Sequence, residues 1–356
     1  MIYVRQTEDA VVEPERRVTA GDVAAAAGVS LATVDRVLNR RPGVREATVR
    51  AVQDAVERLG FRKDLFAANL ARSRQYRFRF LLPHLPQNSF MQSVRREVEL
   101  AALRGLDERI TVSSNDYAAF DPKALAQQLA ACRHDGTMGV AVVAVDAPEV
   151  RDAIARVAAD DIAVLTLVSD VTPSRRARFI GPDNIAAGRV GASLLGRFAG
   201  GRRGRILTVA GRMTLRDHAE RRLGFAQVIE RDFPDLGLLP VAEGLDDGAV
   251  TKPLVAAALR EVPDLIGVYS MGAGNRGIVA AIEEAGRARD VIAIGHELTP
   301  FMREALLSGT FDAAINQDAS DEVRRAVRTL KALADGQADY QPDPIRIDIY
   351  MRDNLP

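Results

Sequence analysis

Between residues 19 and 59 apolar positions recur at three- and four-residue steps, and the spacing predicts three short helices over about 20–27, 31–38 and 46–59. The third is the clearest: Val49, Val52, Val56 and Leu59 form one stripe, and Gly60 ends it. Such a helix must pack on the first two. Beyond Phe78 the pattern changes to short apolar runs alternating with amphipathic stretches: FRFLLP, RITVSS, MGVAVVAV, IAVLTLV, RFIG, RILTVAG, LLPVAEG, LIGVYS, DVIAIG and FDAAIN. Strands that alternate with helices argue for parallel α/β sheets. These runs are too many for one comfortable sheet, and the segment 180–204 divides them into two groups of similar size. The expected fold class is therefore α/β: an N-terminal all-α head followed by two lobes with parallel sheets and a cleft between them.

The head has a recognisable geometry. Within VTAGDVAAAAGVSLATVDRVLNRRPGV an Ala-rich helix runs into Gly28, which can take the left-handed conformation that closes a helix; Ser30 can then cap the next by accepting a backbone N–H. A helix, a three-residue turn containing Gly and a second helix make a helix-turn-helix, which lays its second helix in the major groove. Val34, Val37 and Leu38 are expected to face inward, leaving Leu31, Ala32, Asp35, Arg36 and Asn39 outward. Arg36 is the main expected base reader, because a guanidinium pairs bidentately with guanine. Thr19, Ser30, Thr33 and Arg40 complete the expected DNA-contact set of the head.

Charge supports this reading. Net charge over all 356 residues is zero, yet residues 16–79 hold 14 Arg/Lys against 6 Asp/Glu, the mark of a polyanion-binding end. A chain of this length is expected to form two or three domains. No apolar run approaches the roughly 20 residues needed to span a bilayer, and the first residues lack a secretory pattern, so a cytoplasmic, nucleoid-associated location is expected. Cys132 is the single cysteine, and His84, His134, His218 and His296 show no ligand-like spacing with it; neither a disulfide nor a metal site is expected.

The stretch GDVAAAAGVSLATVDRVLNRRPGVREATVRAVQDAVERLGF resembles the DNA-binding head of the LacI/GalR repressor family, which typically reads DVAxxAGVSxxTVSRVLN. The resemblance implies that Leu31 and Ala32 discriminate operators and that Arg36 contacts a guanine. Leu31 and Ala32 could read only by apolar contact, as with a thymine methyl. Asp35 stands where the family usually has Ser; it either accepts from a cytosine amine or orients Arg36. The next segment, FRKDLFAANLARSR, resembles the family's linker, whose short helix enters the minor groove and wedges a leucine between base pairs. Leu70 falls at the wedge position, with Asn69 beside it, and Arg72 and Arg74 can neutralise phosphates. A helix of about eight residues is too short to stand alone in water, so it is expected to order only on DNA and with a second subunit. The resulting division is a flexible tail over 1–17, a helix-turn-helix domain over 18–62, a hinge over 63–78 and a core over 79–356.

That core resembles the periplasmic sugar-binding-protein fold, especially its ribose-binding branch, through FIGPDNIAAGR, ERRLGF, GHELTP and INQD. The resemblance implies an N-subdomain over about 79–183 and 317–345, and a C-subdomain over about 184–316 and 346–356. It matches Arg221 to a ribose-binding arginine and Gln317 to a ligand-binding glutamine, and it puts Phe90 on the first loop, where aromatic stacking is common. Where ribose binders place an aspartate, this chain has His296 followed by Glu297, and the usual Asp-Arg pair becomes Ser169-Asp170. Asn275 and Asp170 are further nominations from loops at strand ends. Each pocket candidate could instead be a surface or capping residue, and capping is preferred for Asp183 and Asn184.

One motif points elsewhere. SMGAGNRG places Gly272, Gly274 and Gly277 in the GxGxxG spacing of a dinucleotide site, and Glu297 ends the next strand within reach of a ribose. The motif comes late in the chain, however, and no GxSxG or paired-carboxylate catalyst accompanies it. The expectation is a non-enzymatic, cofactor-free, sequence-specific transcription regulator, of the repressor type. It would act as a homodimer on a pseudo-palindromic operator, controlled by a sugar, polyol or sugar acid bound between the lobes. A sugar-binding protein without regulatory DNA binding and an NAD-dependent oxidoreductase are the rival readings.

Overall fold

The computed structural model describes residues 18–38, 43–59, 75–105 and 108–356. They fall into two compact units, divided between residues 73 and 74.

The first unit is a three-helix head: α1 (Ala20–Ala27), α2 (Leu31–Leu38) and α3 (Glu46–Arg58). Thr19 starts α1 with a capping box: its hydroxyl accepts from the Asp22 amide at 3.3 Å, and the Asp22 carboxylate accepts from the Thr19 amide at 2.8 Å. Gly28 ends α1 at φ 65°. There the Gly28 amide reaches back to the Ala25 carbonyl and the Val29 amide to that of Ala24, a Schellman closure that turns the chain tightly into α2. Val23, Ala24, Val34, Val52 and Ala55 form the small core, flanked by Val37, Leu38, Val56 and Leu59. The fully buried positions of α3 are Val52 and Ala55, while Val56 and Leu59 of the apolar stripe are partly buried beside them.

In the second unit, a parallel sheet of five strands comprises β1 (Tyr76–His84), β2 (Ile110–Ala118), β3 (Gly139–Val142), β4 (Ala163–Leu167) and β5 (Arg178–Ile180), in the order β2-β1-β3-β4-β5. Helices α4 (Ser89–Gly105), α5 (Pro122–Ala131) and α6 (Pro148–Ala159) alternate with the strands. After α7 (Asn184–Ala199) a second sheet begins. Its strands are β6 (Gly204–Ala210), β7 (Leu236–Leu238), β8 (Ala242–Glu243), β9 (Leu265–Ser270), β10 (Ile292–His296), β11 (Ala313–Asn316) and β12 (Asp348–Tyr350). They run β12-β11-β10-β9-β6-β7, with β8 also paired to β6. Pairing is parallel except for the antiparallel β11–β12 ladder. Helices α8 (Arg216–Asp232), α9 (Gly248–Glu261), α10 (Asn275–Glu284) and α11 (Pro300–Ser308) serve this sheet.

The last long helix, α12 (Ala319–Ala334), crosses back. Its Val323, Ala326 and Leu330 join Phe78, Phe80 and Leu165 in the core of the first lobe, although the strands on either side of it belong to the second sheet. Ile345 packs with the first core and Ile347 against the second. One expectation is corrected here, and one strand is added. LLPVAEG is not one strand: it straddles the end of β7 and the short β8, broken at Pro240, which has no N–H for a ladder. And β12, too short and polar to stand out in the sequence, adds an antiparallel edge.

Candidate functional site

In the head, α2 presents two faces. Val34 is buried and Val37 and Leu38 are half-buried, while Leu31 (57% exposed), Ala32, Asp35 and Arg36 face outward. Ser30 and Thr33 hold the start of the helix: the Thr33 amide donates to Ser30 Oγ at 3.2 Å and the two hydroxyls share a hydrogen bond of 2.9 Å. The helix N-terminus and the outward residues form one surface, the geometry that groove reading requires. Asn39, Arg40, Asn69, Leu70, Arg72 and Arg74 lie outside the described residues.

In the core, a cavity of about 530 Å³ opens between the C-terminal ends of the two sheets. That is where the loops of parallel α/β sheets converge on ligands. Of the candidates, Phe90, Arg221, Asn275, His296, Glu297 and Gln317 all line it. Asp170 does not. Burial alone would raise its carboxyl, but hydrogen bonds from Arg176 and Thr166 outweigh it and hold the group below the usual carboxylate range. Its other oxygen accepts from Arg176 and Thr172, so Asp170 supports its own loop, and Ser169 is the residue that reaches the cavity.

Arg221 is the organising residue. Only 2% exposed, it donates from Nε to Asn184 Oδ1 at 2.9 Å and from Nη1 to the Met271 carbonyl at 2.7 Å, which leaves Nη2 3.7 Å from Glu297. The first of these bonds settles the Asp183–Asn184 pair: Asp183 caps α7 through the Ala186 amide, whereas Asn184 is helical and braces the guanidinium. A close helix crossing makes the bond possible. A Cβ on Gly188 would lie 2.0 Å from the Arg221 carbonyl oxygen, and one on Gly224 would lie 2.0 Å from that of Ile185, so both glycines let α7 and α8 touch backbone to backbone.

Glu297 sits at φ 70°, unusual for a residue other than glycine or asparagine. Burial pushes its carboxyl up to about 7 despite the opposing guanidinium of Arg221. It accepts from Gln317 Nε2 at 2.7 Å. His296 is held neutral: burial, then the positive charge of Arg221, lower it well below the ordinary imidazole range. The Tyr269 hydroxyl and His296 Nε2 share a hydrogen bond of 2.8 Å, while the Tyr269 ring stacks on Phe225 at 4.3 Å between centroids.

Several lining groups were not legible in the sequence. Among the described residues, four buried polar atoms on the lining have no hydrogen-bond partner: Ser169 Oγ, Asp217 Oδ1, Asn275 Oδ1 and Gln317 Oε1. Buried polar atoms without partners are costly, and their convergence on one cavity marks it as a site for a polar ligand. Two further residues join the lobes: Asn88 Nδ2 of the first donates to Asp246 Oδ2 of the second at 3.2 Å. Arg216 adds a second link, from Nη1 to the Thr172 carbonyl at 3.3 Å. The only available sequence signal was for Asp217, which lies one helical turn before Arg221 on the same face of α8.

The GxGxxG spacing has a packing explanation. A Cβ on Gly277 would lie 2.2 Å from the Gly248 carbonyl oxygen, so this glycine brings the start of α10 onto the start of α9. Among the described residues no group of three or more His, Cys, Asp or Glu is placed to hold a metal ion, and no helix is long and apolar enough to cross a membrane. Cys132 is buried and unpaired.

Two family models match the chain: a periplasmic binding protein domain over residues 79–338, and the lacI family of bacterial regulatory proteins over residues 19–64. The HTH-type transcriptional regulator RegA of Clostridium saccharobutylicum is 42% identical over 74 residues, 21% of this chain and 22% of its own length. Catabolite control protein A of Priestia megaterium is 38% identical over 82 residues, 23% of this chain and 24% of its own. The matched region thus spans about a quarter of these curated relatives. Solved structures resemble the core. GanP, a glucose-galactose binding protein from Geobacillus stearothermophilus, superposes with a TM-score of 0.72 at 18% identity, covering 80% of this chain and 99% of its own. A solute-binding protein of an ABC transporter from Burkholderia graminis, in complex with D-arabinose, gives 0.72 at 20% identity, covering 79% and 96%. At these identities the likeness establishes the fold.

Proposed function

Because the chain belongs to the periplasmic-binding-protein domain family over most of its length and carries the head of the lacI family of bacterial regulators, we propose that it is a sequence-specific transcription regulator governed by a small sugar-like ligand. The observation that carries this reading is the presence, in one chain, of an exposed helix-turn-helix face and a cleft lined by unpartnered buried polar atoms. Both matched families are non-enzymatic.

In this reading Arg36 pairs with a guanine, Leu31 and Ala32 make apolar contact with bases, and Asp35 orients Arg36 or accepts from a cytosine. Thr19, Ser30 and Thr33, with Asn39 and Arg40 beyond the helix, contact the backbone or fix the register. Asn69, Leu70 and Arg72 act in the minor groove. The active species is a cytoplasmic homodimer, since a twofold protein demands a pseudo-palindromic operator. In the cleft, Arg221, Asn275, Glu297 and Gln317 hold the polar edge of the ligand, Phe90 packs on its apolar face, and His296 positions the wall. The neighbours titled as glucose-galactose binding and as bound to D-arabinose support a sugar as ligand. By linkage, ligand and operator must change each other's affinity by the same factor.

Fluorescence-polarisation titration of the purified chain against fragments of its own upstream region, with and without sugars and polyols, tests the proposal. Specific binding shifted by one compound is the expected outcome. Specific ligand binding with no operator binding under any condition would instead favour a sugar-binding protein that does not regulate.

A further inference from the structure

We infer that the cleft selects a hydroxyl-rich ligand without an acidic group, neutral or amine-bearing, and that Asp217 is the residue that makes the selection. This rests on the cleft being the effector site. It follows from counting what the cavity still needs. Asp217 Oδ1, Asn275 Oδ1 and Gln317 Oε1 are buried, unpartnered and able only to accept. The amide orientations are set by their other ends: Gln317 Nε2 donates to Glu297 at 2.7 Å, and Asn275 Nδ2 faces the His296 carbonyl at 3.5 Å. Ser169 Oγ, also unpartnered, can serve either way.

The donor side is poorer. Arg221 has committed Nε and Nη1 within the protein, and its remaining Nη2 faces Glu297. A ligand must therefore bring at least three O–H or N–H donors and needs little acceptor capacity beyond what hydroxyls supply. A carboxylate or phosphate brings the opposite: acceptors only, and a negative charge among Asp217, Asp246, Asp247 and Glu297, where of the lining cations Lys252 is already paired with Glu284, Arg276 lies over the Phe301 ring and Arg221 is bonded within the protein.

Asp217 is the sharpest of these groups. It is 5% exposed, its Oδ1 has no partner among the described residues, and His218 Nε2 stands 3.7 Å from Oδ2, beyond hydrogen-bond distance. A buried carboxylate left in that state burdens the unliganded fold and is relieved when a ligand donates to it. Lying one turn from Arg221, it allows one sugar hydroxyl to donate to the carboxylate while accepting from the guanidinium.

Calorimetric and thermal-shift titrations of the full chain and of Asp217→Asn test this, using matched sets on the glucose, galactose and arabinose skeletons. Each set comprises the neutral sugar with its amino, acid and phosphate derivatives. In the parent chain the neutral or amino member of a set should bind and its acid and phosphate should not. Asp217→Asn should narrow that preference by about tenfold or more. Tighter binding of an acid or phosphate by the parent chain, or an unchanged preference in Asp217→Asn, would overturn the inference. Without ligand, Asp217→Asn should melt higher than the parent; a lower melting temperature would make Asp217 a structural residue and sink the idea by itself. Silence of the whole panel would count against the sugar reading of the cleft, while the unliganded comparison would still judge Asp217.

Discussion

Glu297 combines three features that rarely coincide: deep burial, a left-handed backbone, and a carboxyl raised to about 7 from the ordinary 4.5. Because the folded state holds the proton more tightly than the unfolded one, stability drains away as pH rises from about 4.5 to about 7 and is level above that. His296 works against this trend: its imidazole resists protonation in the fold, so stability falls as pH drops below the ordinary 6.5. The two slopes overlap, so the difference between parent and Glu297→Gln is the informative quantity. Denaturant titrations from pH 4 to 8 should show Glu297→Gln gaining on the parent across that window, by on the order of 3 kcal/mol at most. Arg221→Ala should abolish ligand-induced thermal shifts while leaving operator binding by the unliganded chain in place; equal loss of both activities would contradict the separation of sites. At this scale the sequence was most informative where a residue's type and its motif coincide, as for Arg221 and Gln317. It named Ser169 only as a departure from the family's Asp-Arg pair and did not nominate Asp217; the importance of both lies in missing partners that only three dimensions reveal. It misplaced Asp170 because Arg176, six residues further on, turns that carboxylate away from the cavity.

Elements position these residues through contact rather than through propensity. Arg221 and Asp217 face the cavity because α8 lies directly on α7, and that approach depends on Gly188 and Gly224. Gly188→Ala forces a methyl into a backbone carbonyl, so the helices must separate. The expected cost is about 1–3 kcal/mol of stability together with weaker ligand binding, measurable by urea unfolding and calorimetry on one sample. In the head, Val52 belongs to a core of five buried side chains among the described residues. Val52→Ala should lower the head's transition by about 2 kcal/mol while the core's melting stays where it was, as differential scanning calorimetry of the full chain would resolve. The helices of the head and the alternation of the core were legible because each carries its own period and its own caps, such as Thr19 and Gly28. The split between β7 and β8 was not, since apolar residues continue across Pro240 and only the missing N–H separates them. The GxGxxG run shows the converse: its spacing reports tight packing of α10 on α9, a requirement that a dinucleotide site shares but does not own.

Across the whole effector core, Asn88 and Asp246 tie the two lobes at the mouth of the cavity, with Arg216 reaching Thr172 nearby. These links do not involve a ligand, so the closed arrangement has protein-made support of its own, worth about 1 kcal/mol for a single such bond. Asn88→Ala should therefore open the cleft more often and weaken ligand binding by up to about tenfold; small-angle scattering of the isotopically unmodified chain would report the opening. The lobes themselves are not sequential pieces, as α12 returns to the first after β11 has completed most of the second. That interleaving also explains the place of β12. A parallel sheet ending at β11 would expose a row of unpaired amides and carbonyls, and the antiparallel strand Asp348–Tyr350 covers it. The edge thereby passes from β11 to a strand of only three residues, which offers an extended peptide a much shorter template. Shortening the chain before Asp348 should convert a monodisperse preparation into one that self-associates through β11, and the short tail segment acts as a guard against fibrous assembly as much as a part of the binding machinery.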